Sequence, residues 1–447
     1  MTPAAAPALS VEGAVAVWTG ARELRDVDVR VDDGLVDLVD RDTTAADRDA
    51  SRDVLDARGC VVVPGLVNAH HHLLQSAFRT LPGTRHVPMA AWLDRMRAAY
   101  EAVVVDPELV AAAAAVGLAE SVLNGVTTVA DHHLTWPPGA DGVAVAGAVD
   151  AAARAVGCRV VFVRGSAGDR ADQAAASADA IARRFGERSA DGMWQLAVGP
   201  AGVHSDGRAT FDAMAEVARA HGLRRRTQAN EQVDVEVAAA RYGRRPLELL
   251  ADWGWLAPDV TLAHLCDITR DERAMLAHHG VSATHAPGCD LPMGWGVAPV
   301  GALLDVGVVV GLGTSGGGSN DAGHLLADAR LAMQVAPLAG SALTARDVLS
   351  MATAGSAFGL GRPELGSLEC GAAGDLLCYD VTSPHDAGVA DTVGGLVWAN
   401  PGRRPRHVVI AGRVVVRDHR LVSVDAAETA ASLTALLARR RVAAAAS

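Results

Sequence analysis

His70, His71 and His72 close the apolar run that begins at Val61, in the stretch VVVPGLVNAHHH. β-Branched and apolar residues over this length read as a strand buried on both faces and bent at Pro64 and Gly65. Side chains alternate between the faces of a strand, so His70 and His72 project together while His71 points away. Two imidazoles held in that way make half of a mononuclear metal site. Without a metal they are two bases that titrate near neutral pH. The bland alternative is a short histidine tract in a loop after a core strand.

Further polar residues also sit at the ends of apolar runs. They are Asp131-His132-His133, Arg164-Gly165-Ser166, His204 in PAGVHSD, Gln228-Ala229-Asn230-Glu231, His264 in LAHLC, His285 with Cys289 and Asp290 in ATHAPGCD, and Ser315 in GLGTSGGGSND. Arg164 is a candidate to orient a carbonyl or carboxylate, or else an ion pair closing the barrel mouth. The glycines Gly311, Gly313 and Gly316 have formal dinucleotide-loop spacing, but no acidic ribose partner follows at the usual distance.

The elements that would carry these residues alternate apolar strands with Ala-rich helices, the pattern of a parallel α/β barrel. After the first strand, the expected strands are Thr127–Asp131, Val160–Arg164, Gln195–Val198, Arg226–Asn230, Thr261–His264, Val281–His285 and Val308–Thr314. Apolar periodicity marks helices at Val110–Leu123 and Ala213–His221, and an Ala/Leu helix at Ala426–Ala446. Short strand-and-turn patterns at both chain ends read as one small β-domain. The expected organisation is a β-sandwich part at 1–60, a (β/α)8 TIM barrel at 61–364, and the second β part with a C-terminal helix at 365–447. In such a barrel, polar residues where strands end carry the functional expectation.

PGLVNAHHHLLQSAFR resembles the first-strand signature of the amidohydrolase superfamily, and specifically its purine and triazine deaminase branch. The resemblance implies a metal-dependent barrel that hydrolyses an amino group from a nitrogen heterocycle, usually as a homodimer or larger assembly. It gives His70 and His72 the place of metal ligands, Glu231 that of a proton shuttle at the ring, and His264 that of a partner to the attacking water. Gln75, Arg79 and Trp92 match positions that form the pocket wall, and Trp295 falls at the pocket rim. Gln228 stands where the pattern has a metal-binding histidine, and Ser315 where it has a metal-binding aspartate. Asp290 and Cys289 replace an asparagine and a serine. An amide and a hydroxyl supply neither the charge nor the affinity of the expected ligands.

Composition narrows the alternatives. The net charge of −12 argues against nucleic acid or an anionic membrane as partner. The basic runs Arg224–Arg226 and Arg439–Arg441 read as solvated helix or strand ends. All 40 basic residues are arginine, which excludes a Schiff-base lysine or a carboxylated lysine bridging two metals. Six scattered cysteines without CxxC indicate neither a zinc knuckle nor a disulfide framework. No signal segment or membrane span is recognisable, so a cytoplasmic location is expected.

The resulting reading is an enzyme acting on a C–N bond of a small polar nitrogen heterocycle or guanidine-like substrate, without tightly bound catalytic zinc. Its expected catalytic residues are Glu231, His264, His70 and His72, the last two as a vestigial metal pair. Its expected substrate-binding residues are Gln75, Trp92, Arg164, His204, Gln228, His285, Asp290 and Ser315. The alternatives are a zinc deaminase remodelled around His71, His204, Asp290 or Cys289, a metal-free cyclase, isomerase or lyase, and a non-catalytic scaffold.

Overall fold

Gly65 divides the first apolar run between two different sheets. In the computed structural model, which describes residues 8–40 and 52–446, Cys60–Pro64 pairs antiparallel with Leu376–Asp380. Leu66–His72 (β1) pairs instead with Val126–His133 (β2) in parallel. A side chain at Gly65 would place its Cβ 2.3 Å from the Thr127 hydroxyl, so only glycine lets the chain cross there. The single bent strand expected from the sequence is therefore two strands with two roles.

The parallel sheet continues through Arg159–Ser166 (β3), Trp194–Pro200 (β4), Arg224–Ala229 (β5), Val260–His264 (β6), Ser282–His285 (β7) and Val310–Leu312 (β8). Ser315–Gly316 (β9) returns to pair with His71 and His72 of β1, which closes the ring. The eighth strand is thus broken, where one continuous strand was expected over Val308–Thr314. The break follows from close packing. A Cβ at Gly313 would lie 2.7 Å from that of His70, and Gly311 and Gly316 are pressed against Ser356 and Gln75. The glycine spacing serves this closure.

Alternation along the strands sorts the core into two layers. Val160, Phe162, Leu196 and Val198 face the helices in one large cluster. Val161, Val163, Ala197, Val67 and Ala130 form a smaller cluster with Ala357 and Leu360. Helices α1 (Met89–Glu101), α2 (Pro107–Leu123) and α3 (Arg208–His221) cover the outside, and α4 (Ala426–Ala446) docks on α2. Arg440 of α4 binds Asp106, the N-cap of α2, and Glu108, while Arg439 and Arg441 are exposed.

The two chain ends build a β-sandwich beside the barrel. A four-stranded sheet containing Leu9–Glu12 and Val27–Asp32 shares its core residues Leu9, Val29 and Leu55 with Val62, Leu376 and Val409 of the seven-stranded sheet. Residues 1–7 and 41–51, part of the segment expected to contribute strands and of the N-terminus read for a signal, lie outside the described residues. Among the described residues, no helix is long and apolar enough to cross a membrane.

Candidate active site

The ends of β5, β6 and β7 bring Gln228, Glu231, His264, His285 and Asp290 together next to a cavity; of the five only Gln228 lines it, so His285 and Asp290, expected to bind substrate, are buried beside it instead. The chain leaves these strands abruptly: Asn230, His264, Leu265 and Ser315 all have left-handed backbone, with φ of 55°, 77°, 58° and 53°. Such conformations are unfavourable for side-chain-bearing residues and persist where surrounding packing enforces them. Asp290 lies on the short helix Pro287–Met293, whose Pro287 at N1 starts a turn directly after His285.

His264 is the hub. Its Nδ1 lies 2.6 Å from Asp290 Oδ1, its Nε2 3.0 Å from Gln228 Oε1, and Nε2 also lies 3.6 Å from Glu231 Oε1. With a carboxylate at one nitrogen and an amide oxygen and a second carboxylate near the other, the surroundings favour the doubly donating imidazolium. Burial alone would lower its pKa, but the charges of Asp290 and Glu231 outweigh burial and raise it. Asp290 is fully buried. Burial would raise it, yet the charge and hydrogen bond of His264, with His285 Nδ1 3.5 Å from the other carboxylate oxygen, bring it down to about 2. Glu231 behaves oppositely. Burial raises its carboxyl more than His264 and His204 lower it, and neither oxygen has a hydrogen-bond partner.

On the other side of the floor, His72 Nδ1–H donates to the His132 carbonyl at 2.7 Å, which leaves Nε2 with its lone pair. His70 Nε2 is buried without a partner, and the two rings are 4.9 Å apart. Burial, the first cause in each case, pushes His70 well below its ordinary value and His72 to about 4, so both are neutral. His71 turns away, to the Ser315 carbonyl and the Thr314 hydroxyl.

Whether these donors suit a catalytic zinc is a question of chemistry. His70 and His72 offer two ligand-ready nitrogens, and the neighbouring strand ends contribute only the Gln228 amide and the Ser315 hydroxyl. No carboxylate or thiolate joins them: among the described residues, the only group of three His, Cys, Asp or Glu with ligand atoms mutually within 4.8 Å is His264, Cys289 and Asp290. In that group both ring nitrogens of His264 already face hydrogen-bond partners, and burial pushes the Cys289 thiol far up, away from the thiolate that binds metal. Neither donor set fits a tightly held divalent ion.

The cavity above the floor has a volume of about 750 Å³. Its floor is lined by His72, Asp131, His132, Gln228 and Ser315, whereas His70, Glu231 and His264 lie behind Gln228. Met89, Trp92, Met96 and Tyr100 of the α1 side form one apolar wall, with Trp136 and Trp295 on others. Gln75 and Trp92 fix the loop after β9: Gly318 N–H donates to Gln75 Oε1 at 3.1 Å, and Trp92 Nε1–H to the Gly318 carbonyl at 3.1 Å. Arg79 pairs with Glu120. Arg164 does not line the cavity. It binds Asp169 at 2.8 Å and stacks over Trp136 at 4.4 Å, so it supports the wall from behind.

Sequence reasoning passed over three residues. Asp234 receives the backbone N–H of Asn230 and faces His204 Nδ1 at 3.4 Å, so it aims His204 at the cavity. Asp131, singled out only as part of a DHH run, has one oxygen on Leu73 N–H and one unpartnered. Burial pushes it up to about 7. The third is Arg226. The run Arg224–Arg226 was expected at a solvated end, yet Arg226 is 3% exposed inside the barrel. The signal was present: Arg226 shares strand parity with Gln228.

A sequence profile described as Amidohydrolase family matches residues 61–415. The chain is 36% identical over 426 residues to the 5-methylthioadenosine/S-adenosylhomocysteine deaminase of Halobacterium salinarum, covering 92% of this chain and 96% of that one. It is 32% identical to the 8-oxoguanine deaminase of Pseudomonas aeruginosa, over 93% of this chain and 94% of that one. Among solved structures, atrazine chlorohydrolase from Arthrobacter aurescens TC1, complexed with zinc, superposes with a TM-score of 0.90 at 34% identity, covering 96% of this chain and all of that one. The match of profile, sequence and barrel over nearly the whole length establishes that this chain belongs to the amidohydrolase family.

Proposed function

We propose that the chain hydrolyses an exocyclic C–N bond of a small nitrogen heterocycle, and that its own acid–base residues do so without tightly bound zinc. The first half rests on the relatives, which are deaminases and hydrolases of heterocycles. The second rests on one observation: Asp290, His264 and Glu231 form a hydrogen-bonded and ionic chain leading to Gln228 at the cavity floor.

Asp290 fixes the orientation of His264 and stabilises its positive charge. Once the ligand displaces the Gln228 amide from His264 Nε2, the ring passes its Nε2 proton to the Glu231 carboxylate, 3.6 Å away. Burial favours the protonated form of the unpartnered Glu231, which gives this proton to a ring nitrogen as water adds to the adjacent carbon. The neutral His264 takes the proton of that water and hands it to the departing amino group, so that ammonia leaves as the carbon–nitrogen bond breaks and the hydroxyl proton returns to Glu231. The apolar walls and the size of the cavity suit an uncharged, flat ring carrying an apolar substituent.

The test is ammonia release from a panel of purines, pterins and triazines by the wild type and Glu231→Gln. The expected result is turnover on at least one ring class, lowered about 1,000-fold in the variant. Equal turnover by both proteins would refute the assignment of Glu231. A second reading places zinc on His264, Cys289 and Asp290, favoured by their proximity. It predicts about one zinc per chain, lost in Cys289→Ser.

A further inference from the structure

Arg226 has no partner suited to its charge. It lies two residues before Gln228 on β5, so both side chains enter the barrel, and it is 3% exposed. One nitrogen, Nη2, donates to the Ala69 carbonyl of β1, on the far side of the barrel interior and next to His70. Nε and Nη1 have no partner. Among the described residues no carboxylate forms an ion pair with it, although each of the other four buried arginines has one: Arg159 with Asp375, Arg164 with Asp169, Arg362 with Glu364 and Arg403 with Asp386. Burial pushes its pKa down to about 9, which still leaves it charged at neutral pH. The same charge contributes, after burial and neighbouring histidines, to the low values of His70 and His132.

A guanidinium held in low dielectric, bonded to the carbonyl of the residue before His70, acts on whatever that ring binds. A divalent cation there would face a fixed positive charge with little water between them. We propose that Arg226 is a resident cation that keeps divalent metal ions off His70 and His72, and so determines that this floor works without one. The proposal rests on the metal-free reading above and supplies a cause for it beyond the missing ligands.

The test separates that cause from the ligands. Zinc is titrated, in competition with a chromophoric chelator, into four chelator-treated proteins: wild type, Arg226→Met, Gln228→His/Ser315→Asp, and the triple variant. Restoring an imidazole and a carboxylate should create measurable zinc binding, and removing the Arg226 charge from that background should tighten it about 100-fold. Methionine in place of an unpaired buried charge should leave the thermal midpoint unchanged or higher. If the triple variant does not melt cooperatively, Arg226→Gln replaces it. Equal zinc affinities with and without the Arg226 charge, in folded proteins, would overturn the proposal. Tight zinc in the wild type would overturn the metal-free reading and the proposal with it, whereas equal affinities among the variants overturn the proposal alone.

Discussion

Two buried arginines of the same barrel have opposite surroundings. Arg159, at the start of β3, grips Asp375 through two bonds of 2.8 and 2.9 Å and donates further to the Gly192 and Asp191 carbonyls. Burial would lower it, but Asp375 raises it. Arg226, in the middle of β5, has one carbonyl and no acid. The first joins the barrel to the β-sandwich, where Asp375 also receives the backbone N–H of Ala411. The second lies beneath a floor where Glu231, Asp290 and His70 also keep unpartnered atoms. The charge of Arg159 is matched by a carboxylate and ties two parts of the architecture together; the charge of Arg226 is unmatched and lies among site groups that keep unpartnered atoms.

Substitutions on either side sharpen this contrast. The largest effect is expected at the top: His264→Asn removes the hub between Asp290 and Glu231 and should lower turnover about 1,000-fold, in a protein that still folds although the buried Asp290 charge has lost its partner and some stability with it. Loss of folding instead would assign His264 to the architecture. At the base, Arg159→Met leaves Asp375 buried and uncompensated and should cost about 3–5 kcal/mol in urea unfolding. Arg226→Met should cost less than about 1 kcal/mol or stabilise, because no counter-charge is stranded. Comparable losses for the two would erase the distinction.

A third effect is a pH dependence. Asp131 has its folded pKa pushed up to about 7 from an ordinary value near 4. The folded state therefore binds the proton more tightly, and the stability this contributes is complete below pH 4 and lost as pH rises through 7. Asp131→Asn should flatten unfolding free energy across that window. A slope unchanged by the variant would place the carboxyl elsewhere in the balance. The smallest effect is expected at the wall, where Trp136→Leu loosens the surface that Arg164 supports: KM should rise about 10-fold, equivalent to losing one aromatic contact, with kcat nearly constant. A fall in kcat with unchanged KM would move Trp136 from the wall into the chemistry.

Much of the fold was legible because strand alternation and helix periodicity are local properties. Seven expected strands coincide with β2 to β8 to within a few residues, and α4 matches its expected bounds. The break between β8 and β9 was not legible, since it depends on how closely Gly313 approaches His70 from a distant part of the chain. The crossing at Gly65 was missed for the same reason: Val61–Val63 and Leu66–Ala69 are equally apolar, and only their pairing partners differ. At the site, strand ends named the floor residues, but the sequence read Asp290 as a substrate-binding residue. Its bond to His264 depends on a helix turn after β7 that brings residues 264 and 290 together. Arg226 was misread because charge in a run suggests solvent, whereas its parity on β5 points inward.

On the proposed reading, Asp290, His264 and Glu231 run the chemistry without a metal. Zinc content and turnover, measured on the same preparation before and after exhaustive chelation, test this. Turnover should survive with metal far below one ion per chain. Turnover abolished by chelation and restored by one zinc per chain would contradict it.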